Sequence, residues 1–438
     1  MGAPEEISKR HKMSEEFFNE HAGVKYVRVQ WTDYSGIFHC RLITKAKCLR
    51  MIQADHPYKA PVNSVITPIS TAPGCDASPP QVWELHPEWD TLRLCGFAPA
   101  HASVICSFTR TGAENPFAMC PRTLLQRTVK EFEDQYSASL LVGFEVEFVL
   151  LDESLQVPAS LDRIEGSSMS SGIRGRSLAI VEDIFDALEM SDVPVHHMHT
   201  EAKDQLEFSM EPRSPMRAVD DLMYAQETIR TVAIRHGLKA TMTPKPFLKR
   251  FPTNGLHMHI SVSPTSLGDS FLAGILSKLR VLCAFGLPSW DSYHRVEDDG
   301  TGVWVGWGTE NRDLPLRGIG PAHWEIRPAD TTANFYLFLA VAVAAGSAGI
   351  EVERPLTWQD CRIFPENLSL SERAHYGIKD CLPRSFSAAM EGAKADVDIP
   401  VWVGEELLEK YFKMKDKEVE LFGKMTDEER RQKFIAFF

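Results

Sequence analysis

LLVGFEVEFVL, residues 140–150, alternates strictly enough to be read as a β-strand. Side chains at i and i+2 of a strand share a face. Phe144, Val146 and Phe148 therefore point toward a core, while Glu145 and Glu147 point together away from it. Three other stretches repeat the arrangement. In DQLEFSM (204–210), Gln205, Glu207 and Ser209 share a face opposite Leu206 and Phe208. In HMHIS (257–261), His257, His259 and Ser261 lie opposite Met258 and Ile260. In HWEIRP (323–328), Glu325 and Arg327 are backed by Trp324 and Ile326. Any one of these reads as an ordinary antiparallel strand with a wet face. Together they are unusual, because the polar residues are mostly Glu and His. That is the ligand set for a hard or borderline divalent cation. Carboxylates crowded on one concave face also repel each other unless a cation neutralises them.

Outward from these strands the chain divides in two. VKYVRVQW (24–31) and IFHCRLIT (37–44) flank the turn TDYSG and read as a hairpin. Residues 51–83, broken by Pro, Gly and Ser, read as loops, and DTLRLCGF and ASVICSF as two further strands. The character changes at AENPFAMCPR (113–122), where a helix follows with Leu125, Val129 and Phe132 on one side; the domain boundary is placed there. A second helix starts at Ser214-Pro215, with the apolar stripe Ala218, Leu222, Ala225, Ile229 and Ala233. Residues 403–425 read as a late charged helix. Strands and helices do not alternate regularly, so the fold class is α+β.

The 438 residues, 44% hydrophobic, suffice for a large core in two or three domains. Net charge is −13 with no Lys/Arg block, which argues against a nucleic-acid partner. Such a field repels phosphates, so a phosphate-bearing ligand needs local cations or metal. Nine scattered cysteines without a CxxC pair read as free thiols of a reducing compartment. The N-terminal stretch lacks an apolar core, so no secretory signal is expected. The run Phe335–Ile350 is short for a bilayer and rich in Ala and Gly, which fits a buried, closely packed helix. The expectation is a soluble, cytoplasmic protein with no membrane partner.

The order ExE, E…QxE, HxHxS, NRxxxxR, ExR is specific. With GFEVEF, HTEAKDQLEF, TPKPF…NGLHMHIS, ENRDLPLR and HWEIRPADTTANFYL, it closely resembles glutamine synthetase over almost the whole chain. WVGWGTENRDLPLR is most similar to a divergent, fungal-type glutamine-synthetase-like branch. The resemblance implies an N-terminal extension (1–22), a small β-grasp domain (23–112) and a catalytic domain (113–438) whose curved, mainly antiparallel sheet is flanked by helices. It implies ATP and two or more Mg2+ or Mn2+ ions per site, and homo-oligomeric rings with active sites between subunits. Residue by residue, Glu147, Glu201 and Glu207 match one metal site, and Glu145, His257 and Glu325 a second. His259 and Ser261 match ATP-contacting positions. Arg295, Asn254 and Gly255 match the glutamate site, and Arg312, Arg317 and Arg327 the arginines that clamp the transferring phosphoryl group and the acyl phosphate.

Three departures stand out. EAKDQLE places Glu201 and Glu207 six apart, one or two residues fewer than usual and with no Gly before the Gln, so the loop must be tighter. The glycine-rich loop is shortened to NGLH. Both acids that build the ammonium site are missing: YKAPVNS (58–64) holds none, and Thr301 stands where a flap glutamate is expected. Glu297, Asp298 and Asp299 lie near but out of register, and Trp304 and Trp307 bring aromatic bulk. The implied activity is ligation of the glutamate side-chain carboxylate to an amine, within nitrogen metabolism. The alternatives are glutamine synthesis from ammonia and a catalytically weak regulatory or scaffold protein on the same fold.

Overall fold

The computed structural model describes residues 4–54, 57–69, 82–110, 115, 117–249, 252–298 and 300–438. Cys75, Asp299 and the expected domain boundary at 112/113 lie outside the described residues.

Two sheets organise the chain. The first contains β1 (Tyr26–Thr32), β2 (Phe38–Thr44), β3 (Tyr58–Pro61), β4 (Val82–Pro87), β5 (Arg93–Leu94) and β6 (His101–Arg110). Its order is β2-β1-β6-β4-β3, with β5 also on β6. The β1–β6 pair is parallel and the hairpin β1–β2 antiparallel, as its turn requires. Several elements here escaped the sequence reading, β4 and the helix Pro4–Glu20 among them. The helix Lys45–Ala54 buries only Cys48, Met51 and Ile52, a stripe too short to stand out. Strand β3 buries only Ala60 and sits at the sheet edge, where Pro61 is tolerated. DTLRLCGF is mostly not a strand: a short 3-10 turn precedes the two residues of β5.

The second sheet contains β7 (Ser139–Leu151), β8 (Val195–Thr200), β9 (Gln205–Met210), β10 (Lys239–Thr241), β11 (Leu256–Ser263), β12 (Trp307–Thr309), β13 (Leu316–Gly320) and β14 (His323–Ile326). Its order is β12-β13-β14-β11-β7-β9-β8, with β10 also on β7. All pairs are antiparallel except β12–β13. One face carries Phe144, Val146, Phe148, Leu206, Phe208, Met258 and Ile260, all buried. Helices cover that face; Phe144, for example, meets Phe335 edge-on at 5.3 Å. The helix Pro215–Arg235 buries the expected stripe, although the Ser214 side chain makes no cap hydrogen bond. The helix Phe335–Glu351 packs so tightly on Gly268–Gly286 that a Cβ on Gly274 would lie 2.2 Å from the Ala345 carbonyl oxygen. One continuous core runs from Val27 and Trp31 in the first sheet to Phe144 and Met258 in the second.

Among the described residues no helix is long and apolar enough to cross a membrane. The described cysteines are all free, and all but Cys40 and Cys381 are buried.

Candidate active site

The helices occupy one face of the second sheet, and the polar residues gather on the other. Cross-strand register aligns them, because residues directly opposite in a ladder project to the same side. Arg317 faces Glu325, which faces His259, which faces Gly143. In the next row His257 faces Glu145, which faces Ser209, which faces His197. In the third, Glu147 faces Glu207, which faces His199. These rows floor a cavity of about 360 Å3. It is lined by all the expected residues except Asn254, Gly255, His259 and Ser261, and additionally by His197, His199, Gln205 and Thr253.

The four exceptions have definite places. Asn254 is fully buried; its Oδ1 accepts from Gln205 Nε2 at 2.8 Å, and its amide donates to the Thr241 and Thr243 carbonyls. The Gly255 N–H donates to Glu147 Oε2 at 2.5 Å. A Cβ there would lie 2.5 Å from Arg295 Nη2 and 2.7 Å from His257 Nε2, so the position suits glycine by close approach. His259 stands 3.2 Å from Glu145 Oε1 and 3.2 Å from His323 Nε2. Ser261 lies two residues further along β11, opposite His323.

The donor atoms form two groups: Glu145, His259 and Glu325, and His199, Glu201 and Glu207. Within each, one ligand atom per residue lies within 4.8 Å of the others. The groups overlap the sets implied by resemblance without reproducing them. His257 remains adjacent, with Nδ1 3.3 Å from both Glu145 and Glu325. Glu147 has one oxygen bound by Gly255 and by Gln205 Nε2 at 2.9 Å, and the other 3.7 Å from His257.

His197 and His199 were missed in the sequence, although His197, His199 and Glu201 obey the same i, i+2 rule. Glu201 reaches the cavity despite the compressed loop. Asp204 supplies the reversal with a φ of 63°, left-handed backbone that Asp tolerates better than most residues. The loop closes through Glu201 N–H to the Gln205 carbonyl (3.0 Å) and Gln205 N–H to the Ala202 carbonyl (3.1 Å).

Electrostatics follow from burial and crowding. Burial would raise the Glu145 carboxyl, but hydrogen bonds from His257 and His259 hold it far below the usual range. Against the same burial, Arg327 and His257 bring Glu325 down to about 2. Glu207 goes the other way, to about 7: burial and the charges of Glu145 and Glu147 outweigh the hydrogen bond from His199. That hydrogen bond lifts His199 to about 9 against its own burial. Buried charges must be paired or coordinate metal. Buried carboxylate oxygens and imidazole nitrogens of this kind fit a divalent ion.

Guanidinium groups ring the acids. Arg327 Nη1 donates to Glu325 at 2.5 Å and Nη2 to the Gly300 carbonyl at 3.0 Å, while its buried Nε has no partner among the described residues. Arg317 Nη1 donates to Glu325 at 3.1 Å, and Glu310 holds its other side. Arg312 is largely exposed, 3.5 Å from Glu201. Arg295 is buried, bonded to the Ala329 carbonyl, with Nη2 3.4 Å from His257.

The amine side differs from expectation. Thr301 is fully buried, and its N–H donates to the Arg295 carbonyl at 2.7 Å. Glu297 and Asp298 are not among the described residues that line the cavity. Neither is Trp304 or Trp307. Trp304 packs against the cluster of Leu314, Cys361, Leu368 and Ile378, under the Arg373 guanidinium, and Trp307 donates to the Trp358 carbonyl at 3.1 Å. Local sequence proximity did not bring the two indoles into the pocket.

Residues 118–433 match the family model described as the glutamine synthetase catalytic domain. The chain is 30% identical over 435 residues to the protein fluG of Emericella nidulans, covering 96% of this chain and 50% of that protein. This chain thus spans half the length of that relative. It is 28% identical to the gamma-glutamylpolyamine synthetase GlnA3 of Streptomyces coelicolor, over 90% of this chain and 89% of that one. A solved structure titled as a GmaS/ADP complex superposes with a TM-score of 0.80 at 21% identity, covering 95% of this chain and 98% of that one.

Proposed function

The chain belongs to the glutamine synthetase family, as a divergent member, and on that premise we propose that it is an ATP- and divalent-metal-dependent ligase that joins the side-chain carboxylate of glutamate to a primary organic amine. A carboxylate is a poor acylating agent. Phosphorylation by ATP gives it a leaving group, and phosphoryl transfer calls for positioning and charge neutralisation more than covalent help.

The residues supply both. Arg295, buried and fixed to Ala329, holds the glutamate in the corner framed by Asn254 and Gly255. Arg312 and Arg317 line the cavity and clamp the transferring phosphoryl group; planar guanidinium forks match its oxygens. Arg327 offers its Nε, without a partner among the described residues, to the acyl phosphate. His259 and Ser261, on β11, would contact the nucleotide. The two carboxylate–histidine groups would hold Mg2+ or Mn2+, which would supply neutralisation of phosphate charge. The small domain, residues 23–112 on this reading, completes the site of a neighbouring subunit, and such a head-to-tail contact closes into a ring. The working compartment is the cytoplasm.

The observation that carries the amine is Thr301. Capturing ammonium requires anionic oxygens to replace its water and a base to remove its proton. A buried threonine offers neither, and no described acid of the 297–298 pair reaches the cavity. The relative GlnA3, whose name denotes a polyamine substrate, supports an organic amine. The test compares kcat/KM for ammonium with alkyl, aryl and polyamines by phosphate release. Ammonium at least equal to the best organic amine overturns the amine assignment. Failure of every amine, with ATP and glutamate still bound, points instead to a non-catalytic scaffold.

A further inference from the structure

We propose that His199 is a direct ligand of the cation held by Glu201 and Glu207, and that its nitrogen makes this position discriminate against Mg2+ in favour of a transition-metal ion. The inference rests on reading the cavity as a metal-dependent ligase site, and adds to it the chemistry of one particular position.

Geometry comes first. An ion with bonds of about 2.1 Å separates neighbouring donors by about 3.0 Å and opposite donors by about 4.2 Å. His199 Nε2 is 3.3 Å from Glu207 Oε1, and all three residues offer donors within 4.8 Å of one another. That spacing accommodates an ion between them. The second argument is the tautomer. His199 Nδ1 lies 2.9 Å from the Thr200 carbonyl oxygen, which can only accept, so Nδ1 carries the hydrogen. Nδ1 is also 3.5 Å from Glu201 Oε2, so for Glu201 to share an ion with Nε2 its carboxylate must turn from the Nδ1 side toward Glu207. In the neutral ring the lone pair is therefore on Nε2, aimed at Glu207. A ligating histidine is typically oriented by just such an outer hydrogen bond. The His197 ring stacks on that of His199, 5.4 Å between centroids, and fixes its plane. The third argument is the donor count. Glu147, the carboxylate otherwise expected to complete this group, has one oxygen committed to Gly255 and Gln205. His199, directly opposite Glu207 in the β8–β9 ladder, stands on the other flank as the additional donor.

The chemical consequence is selectivity. Mg2+ favours oxygen donors, keeps several of its waters and loses little when a nitrogen is replaced by water. Ions from Mn2+ to Co2+ bind nitrogen progressively better.

The test is calorimetric titration of the full chain with Mg2+, Mn2+ and Co2+, for the natural protein and for His199→Ala and His199→Gln, with thermal unfolding as the control. The expected result is a loss of about 10-fold or more at one Mn2+ site, a larger loss for Co2+, and Mg2+ within roughly 3-fold. In Co2+-loaded protein the visible absorption of that site shifts on substitution. His199→Gln keeps a polar side chain, so it answers the question if the alanine variant is unstable. Equal losses for all three ions make His199 a positioning residue and overturn the proposal, as does no loss. If the natural protein binds none of the three ions, the ligase reading itself fails, a result distinct from either.

Discussion

Replacing Gly255 by alanine puts a Cβ 2.5 Å from Arg295 Nη2 and 2.7 Å from His257 Nε2. Ordinary contact begins near about 3.5 Å, so both groups must retreat, each by roughly 1 Å. Neither has an easy path. Arg295 is buried and bonded to the Ala329 carbonyl; His257 is bracketed by Glu145 and Glu325 at 3.3 Å each. The backbone accepts alanine, because Gly255 is not among the residues with positive φ. The substitution is thus a displacement of the glutamate-binding guanidinium and of a metal-side histidine, with the fold kept. A 1 Å misplacement costs on the order of 100-fold in rate, or about 2.7 kcal/mol of barrier. The assay is phosphate release at saturating ATP and metal with glutamate varied, beside a thermal melt. A fall of about 100-fold in kcat/KM for glutamate is expected, with Tm within about 5 °C of the natural protein. A fall of less than about 3-fold, or a loss that tracks unfolding, would show that the close approach matters for packing and not for substrate.

Glu147→Gln and His257→Ala should each abolish turnover and leave the circular-dichroism spectrum unchanged; near-normal rate in saturating Mg2+ contradicts the metal assignment. Cation binding should release protons. Glu207, raised to about 7, and His199, raised to about 9, hold protons in the metal-free protein that a divalent ion must displace. Affinity should therefore rise between pH 6 and pH 9, roughly the range those values span. Calorimetry in buffers of different ionisation heat reads the release, and none at pH 7 contradicts it. Gly274→Ala should destabilise the chain by about 1–3 kcal/mol in denaturant unfolding, because both helix backbones resist the added Cβ; an unchanged midpoint refutes that packing argument. Light scattering at micromolar concentration should show a large ring, and a fully active monomer would end the inter-subunit proposal.

Much of this site was legible in the chain because β-strand periodicity is local. Glu145 with Glu147, His257 with His259, and Glu325 with Arg327 follow from spacing alone, since alternate side chains share a face whatever the strand pairs with. The same rule, applied to residues 195–200, would have exposed His197 and His199. Helices with long apolar stripes were equally readable. The helix Lys45–Ala54 and strand β3 were not, because each buries too few side chains to leave a pattern.

Periodicity says which face a residue occupies but not which strand lies beside it. That Glu145 meets His257, Glu147 meets Glu207 and His259 meets Glu325 depends on hydrogen-bond register between segments far apart in sequence. Packing of the opposite, apolar face sets that register, since a slip of one residue would turn the polar set into the core. Tertiary structure also decided the cases in which nearness along the chain misleads. Asp204, at positive φ, closes a loop too short for the usual pattern and keeps Glu201 at the cavity. Trp304 and Trp307, close in sequence to the flap, are instead drawn to the cluster around Leu314 and to the Trp358 carbonyl, because burial and an indole hydrogen bond are satisfied there.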